Sequence, residues 1–195
     1  PLPAQEASDL LKAELIAEPA AIVPGEPFTV GIRLTMKEHW HTYWRNPGDS
    51  GEPTTVTWKL PAGFTAGELE WPAPSLIKVG PVTSFGYEGE TILLARITPP
   101  ASLAEDKPVT LDADISYLVC EKICIPGEAS LSLPLAVSNA PSQRNPIFEN
   151  ARARLPQASP WSSSFDADAK RLTLSLRSAD LQSGALRSAI FFPHD

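Results

Sequence analysis

Cysteine is scarce in this sequence: Cys120 and Cys124 are the only two among 195 residues. Two thiols cannot build a multi-bridge disulfide scaffold. They make half of a zinc shell, and no histidine lies near them in sequence. No run of about 18 apolar residues occurs, so nothing reads as a transmembrane helix. Basic charge is also short: 16 Lys and Arg stand against 23 Asp and Glu, for a formal net charge of −7. A phosphate-binding surface needs clustered Lys and Arg, so nucleic acid is not an expected partner. Internal repeats and low-complexity tracts are missing. So are an initiator Met and a signal peptide: the chain opens on PLPAQEA, as a mature N-terminus or a cut within a longer protein would.

Proline, by contrast, is plentiful. Its 21 residues punctuate the chain every few positions and argue against long helices. Between them the pattern has period two. In PFTVGIRLTMK, Phe28, Val30, Ile32, Leu34 and Met36 alternate with polar or small residues. In TTVTWKL, Val56, Trp58 and Leu60 do the same. Such alternation predicts half-buried strands. HWHTYWR, ETILLARIT and PVTLDADISYLVC are further strand candidates, separated by the turn clusters NPGDSGEP, LPAGF and TPPAS. Many short strands with Pro and Gly turns predict an all-β, antiparallel sandwich over residues 1–138.

Composition shifts after Val137. SNAPSQRNP reads as a linker, and IFENARARLPQ as a short helix that Pro156 ends, so residues 139–160 are expected to be a linker with a possible short helix. RLTLSLRS then alternates again, with Leu172, Leu174 and Leu176 on one face, and ALRSAIFFPHD reads as one more strand. About three strands are too few for an independent sheet, so 161–195 is expected to be the beginning of a second, truncated β domain.

The strand ending in Cys120 can be followed residue by residue. Val109, Leu111, Ala113, Ile115, Tyr117 and Val119 form its apolar face; Thr110, Asp112, Asp114, Ser116, Leu118 and Cys120 form the other. The next strand, ASLSLPLAV, buries Leu131, Leu133, Leu135 and Val137, and counting back puts Cys124 on its polar face unless a bulge at Pro126–Gly127 inverts the register. Both sulfurs are therefore expected at one hairpin, outside the core. A bond closing a five-residue loop stabilises a fold by roughly 2 kcal/mol in the chain-entropy model, against nearly 5 for a hundred-residue loop. Short-loop, exposed disulfides tend to be reducible, which points to redox work. A plain structural hairpin disulfide is the alternative, and a metal site a weaker one. Nothing local predicts an acidic thiol: Glu121 and Lys122 roughly cancel, and no helix N-terminus is expected there.

Taken with MKEHWHTYWRNPG and FGYEGE, the stretch YLVCEKICIPGE resembles the periplasmic N-terminal domain of the DsbD/ScsB family of thiol:disulfide interchange proteins. It is closer to the ScsB branch, membrane reductases linked to suppression of copper sensitivity. The resemblance spans about residues 10 to 137 and is strongest at Cys124, Pro126 and Glu128. It implies an immunoglobulin-like sandwich whose cysteine pair takes electrons from a membrane-embedded partner domain, in DsbD through a thioredoxin-like domain. The electrons pass on to periplasmic thioredoxin-fold oxidoreductases. It makes Cys124 the exchanging thiol and Cys120 the resolving one, in a protein-disulfide reductase. It nominates TSFGYEG as a cap, with Phe85 or Tyr87 as the shield, although DsbD has more residues between its cysteines. It also suggests that His41 and Tyr43 flank the disulfide. No cofactor, no membrane contact and a monomer are expected of this stretch itself.

Other residues carry weaker signals. His39, His41 and Tyr43 are predicted on one strand face, with Trp40, Thr42 and Trp44 on the other. Two histidines at i and i+2 could bind copper, but no third ligand is evident, so no metal site is assigned. Trp58, Trp71 and Trp161 read as core or loop anchors, and Asp112 and Asp114 as solvated. The competing reading of the whole chain is a non-catalytic immunoglobulin-like binding module whose hairpin bond is only structural.

Overall fold

The computed structural model describes residues 6–104, 107–158, 161–178 and 189–194. Its strands, in chain order, are β1 (Leu11–Ala17), β2 (Ala21–Ile22), β3 (Phe28–Met36), β4 (His41–Gly48), β5 (Thr55–Lys59), β6 (Thr65–Glu70), β7 (Ser75–Val79), β8 (Val82–Glu88), β9 (Glu90–Thr98), β10 (Val109–Cys120) and β11 (Cys124–Val137). Helix α1 (Ile147–Ala153) follows, then β12 (Ser162–Ala167) and β13 (Leu172–Arg177). One sheet runs β1-β3-β9-β6. The other runs β2-β11-β10-β4-β8-β7, with β5 on the lower half of β10. Together they make the immunoglobulin-like β-sandwich. All pairings in these sheets are antiparallel except β2 with β11.

The alternation read from the sequence is what fills the sandwich. Leu111, Ala113, Ile115, Tyr117 and Val119 of β10 are buried, as are Val30, Ile32 and Leu34 of β3. Burial of each such Val, Leu or Ile side chain contributes roughly 1.5–3 kcal/mol. β9 departs from alternation because both its faces are covered. Leu93 and Ala95 pair with Ile32 and Val30 on the inner face. Leu94 pairs with Gly31 on the outer face and, with Ile92, packs against Phe148 and Ala151 of α1.

That contact carries packing beyond the last strand of the sandwich. The chain divides into two compact units, one running to Leu155 and taking in His194, the other running from Pro156 to Pro193. Residues after Val137 are thus not a free linker. Ala20 N–H donates to Gln143 O, and Asn145 N–H to Glu18 O. Ser142 exchanges hydrogen bonds with Ala21, and Arg152 binds the Glu18 carboxylate. The expected short helix is present and is capped at Arg154, two residues before Pro156, which cannot continue it.

The second unit contains the β12–β13 hairpin, with Phe165, Leu172, Leu174 and Leu176 exposed. In ALRSAIFFPHD, residues 189–194 are not in a strand, and the rest lie outside the described residues.

Candidate functional site

Cys120 is the last residue of β10 and Cys124 the first of β11, and the two are directly opposed in the antiparallel register. Their Cα atoms are 4.2 Å apart and the sulfurs are bonded at 2.03 Å. The register runs unbroken from Val109↔Leu135 to Cys120↔Cys124, so no bulge at Pro126–Gly127 inverts the faces. Glycine is required at 127: a Cβ there would fall 2.4 Å from the Tyr117 ring.

The two cysteines differ sharply in exposure. Cys124 is exposed, whereas Cys120 is only 2 % exposed. Cys120 does lie on the face shared with Ser116 and Leu118. The expectation that this face is open fails at its end, because β4 pairs there. His41 is the residue opposite Cys120. A polar face predicted from one strand becomes interior where a neighbouring strand brings bulky rings over it.

His41 and Tyr43 are both buried and flank the disulfide side by side. Their rings meet edge to face at 5.3 Å. Tyr43 Oη lies 3.3 Å from His41 Nε2 and 3.6 Å from Cys124 Sγ. Burial lowers the His41 pKa, and the neighbouring Glu88 carboxylate opposes that only in part. Burial likewise raises the pKa of Tyr43. A Cβ on Gly51, whose φ is +111°, would sit 2.2 Å from the Tyr43 ring, so only glycine lets the loop after β4 lie flat on that ring. The loop is tied to β8: Asp49 N–H donates to Thr83 O, Thr83 N–H to Asp49 Oδ2, and Ser84 Oγ–H to Ser50 O.

Phe85 and Tyr87 are not brought to the sulfurs. In the β4–β8 register Tyr43 pairs with Gly86 and Thr42 with Tyr87, so Tyr87 and Phe85 occupy the opposite face of β8 from Gly86 and Ser84. There Tyr87 Oη–H donates to Pro72 O, and the Phe85 ring meets Trp44. TSFGYEG forms a paired strand rather than a loop, and period two sends its aromatics away from the cysteines. The side chains that do line the hollow beside the disulfide include Val79, Val82, Ser84 and Ser50, with Glu121 and Lys122 from the cysteine turn. The sequence signal for this hairpin was its turn dipeptide Gly80–Pro81, with Gly80 at a positive φ of 60°.

His39 is displaced from the predicted strand face. It sits in the turn before β4 with a φ of 73°, exposed and beside Glu38. It does not join His41, and among the described residues no group of three or more His, Cys, Asp or Glu is placed to hold a metal ion. Asp112 and Asp114 are on the outer face, accepting from Ser132 and Ser130, and Asp114 also pairs with Lys59.

A family model described as the N-terminal region of the thiol:disulfide interchange protein DsbD matches residues 7–136. Among solved structures, the N-terminal periplasmic domain of ScsB from Proteus mirabilis superposes with a TM-score of 0.67 at 22 % identity, covering 90 % of this chain and 67 % of that one. The N-terminal domain of Neisseria meningitidis DsbD in the reduced form gives a TM-score of 0.36 at 11 % identity, over 66 % of this chain and 90 % of that one. No curated protein matches the chain.

Proposed function

The chain belongs to the family of DsbD N-terminal domains, and from that premise we propose that it relays electrons in the periplasm, from a membrane-embedded reductase to thioredoxin-fold oxidoreductases, through Cys120 and Cys124. The observation that carries this reading is the asymmetry of the pair: one sulfur open to a partner, the other sealed behind it.

Exchange proceeds by attack of a thiolate along the S–S axis. A donor thiolate reaches Cys124 Sγ, the Cys120–Cys124 bond breaks, and Cys120 leaves as a thiolate. The donor's second thiolate then attacks the donor sulfur of the mixed disulfide, releasing Cys124 as a thiolate and the donor as a disulfide. Two electrons have entered the domain. In delivery, the Cys124 thiolate attacks the acceptor's disulfide, and Cys120 attacks Cys124 Sγ to free the acceptor as a dithiol. Exposed Ile123, at the tip of the turn between the cysteines, gives such a partner an apolar contact beside the reactive sulfur.

This assignment makes Cys124 the exchanging thiol and Cys120 the resolving one. A Cys120→Ala variant should accumulate a mixed disulfide with a thioredoxin-like partner, because the resolving thiol is gone, whereas Cys124→Ala should trap little. Non-reducing gels of both variants decide it. Equal trapping, or a preference for the Cys120 thiol, contradicts the roles.

A further inference from the structure

A reduced Cys124 must lose a proton before it can attack, and its surroundings offer little help of the usual kind. Among the described residues no helix begins beside it, and the charged side chains lining the hollow are Glu121 and Lys122 on the turn, of opposite sign. The remaining titratable groups around it are Cys120 on β10, His41 and Tyr43 on β4, and Glu88 on β8, opposite His41. The loop after β4 and the β7–β8 hairpin present Ser50, Ser84, Val79 and Val82, none of which titrates.

What the site does contain is a chain of contacts. Tyr43 Oη is within reach of both Cys124 Sγ and His41 Nε2, at 3.6 and 3.3 Å. Its position is fixed by Gly51 on one side of the ring and by the β4 register, which sets His41 against Cys120. We infer that Tyr43 and His41 form a proton relay that activates Cys124, Tyr43 as the residue touching the reacting sulfur and His41 as the acceptor behind it. The inference rests on the redox reading given above.

In the relay, the Cys124 Sγ–H bond breaks as that proton forms a new O–H bond on Tyr43. The original Tyr43 O–H bond breaks as its proton forms Nε2–H on His41. No electron moves, and the products are a thiolate, a neutral tyrosine and an imidazolium. The step needs His41 neutral beforehand with Nε2 bare. Burial keeps it neutral at physiological pH, and Glu88 steadies the imidazolium once formed. When Cys124 is later released as a thiolate from a donor's mixed disulfide, the same chain runs backwards and returns the proton.

The test uses the full chain carrying Cys120→Ala, so that Cys124 is its one thiol. Its alkylation rate by iodoacetamide is measured from pH 5 to pH 10, alone and combined with Tyr43→Phe or His41→Gln, with circular dichroism confirming the fold. The relay predicts that each added substitution slows alkylation at pH 7 by about tenfold, the change in thiolate fraction for one pKa unit, and moves the profile to a single titration near the ordinary thiol value of about 8.5. Combining both should cost no more than either alone, since they act in one chain. A packing role would scale the rate without moving the profile, and that result, or an unmoved profile in either variant, overturns the relay. A chain that shows the shifted profiles yet exchanges with no thioredoxin-like protein would refute the redox reading instead.

Discussion

At the scale of the residue, His41 is the group whose environment departs most from what its position in the sequence announces. HWHTYWR reads as an amphipathic strand, yet His41, Thr42, Tyr43 and Trp44 are all buried. The rings at 41 and 43 lie beside the cysteines, while Thr42 pairs with Tyr87 and the Trp44 ring meets Phe85. The cysteine pair itself was legible, because two lone thiols on facing ends of a hairpin leave few alternatives. The shield was not legible: FGYEGE looks like a loop when its strand partner is unknown, and only the β4 pairing decides which way Phe85 and Tyr87 point. Burial of His41 also has a consequence for stability. Its pKa is lower folded than unfolded, so over the interval between the two values the unfolded chain holds a proton that the folded chain lacks. Folding stability therefore falls as the pH drops through the unfolded value of about 6.5 and levels off below the folded one. Urea midpoints measured from pH 7.5 to pH 5 should decline less steeply for His41→Gln than for the parent; identical slopes would show that His41 keeps an ordinary pKa in the fold.

At the scale of the element, α1 and its approach segment carry the main surprise. A stretch rich in Ser, Asn and Pro reads as a linker because such residues favour turns. Here those same residues satisfy backbone groups of β2 and the β1–β2 connection. The helix then places Phe148, with 0 % exposure, on the outer face of β9. The hint in the sequence was ETILLARIT, with four apolar residues in a row where a strand open on one side should alternate: a strand apolar on both faces needs a cover on each. Phe148→Ala should destabilise the first unit by about 3–5 kcal/mol, read as a lowered urea midpoint, while leaving mixed-disulfide trapping at Cys124 unchanged. A loss below about 1 kcal/mol would mean that α1 is not part of the core.

At the scale of the whole molecule, the sheet order explains how a single hairpin becomes a site. β10 and β11 alone would present both cysteines to water. Adding β4 and β8 to the same sheet walls off one sulfur and leaves the other at the rim. The sandwich class was readable from alternation and proline spacing, since these set which faces are apolar and where strands turn. Which strands become neighbours depends on long-range pairing, and the buried state of Cys120 follows from that alone. The central claim, that this bond is made to be opened and closed, is tested most directly by its reduction potential. The full chain is equilibrated in graded thiol–disulfide buffers, and the reduced fraction is read by alkylation of Cys120 and Cys124. The account predicts a reversible two-electron transition at a potential less reducing than about −300 mV, the range below which structural bonds typically lie. A bond that stays closed until well below that value would contradict it and make the hairpin disulfide a structural clasp.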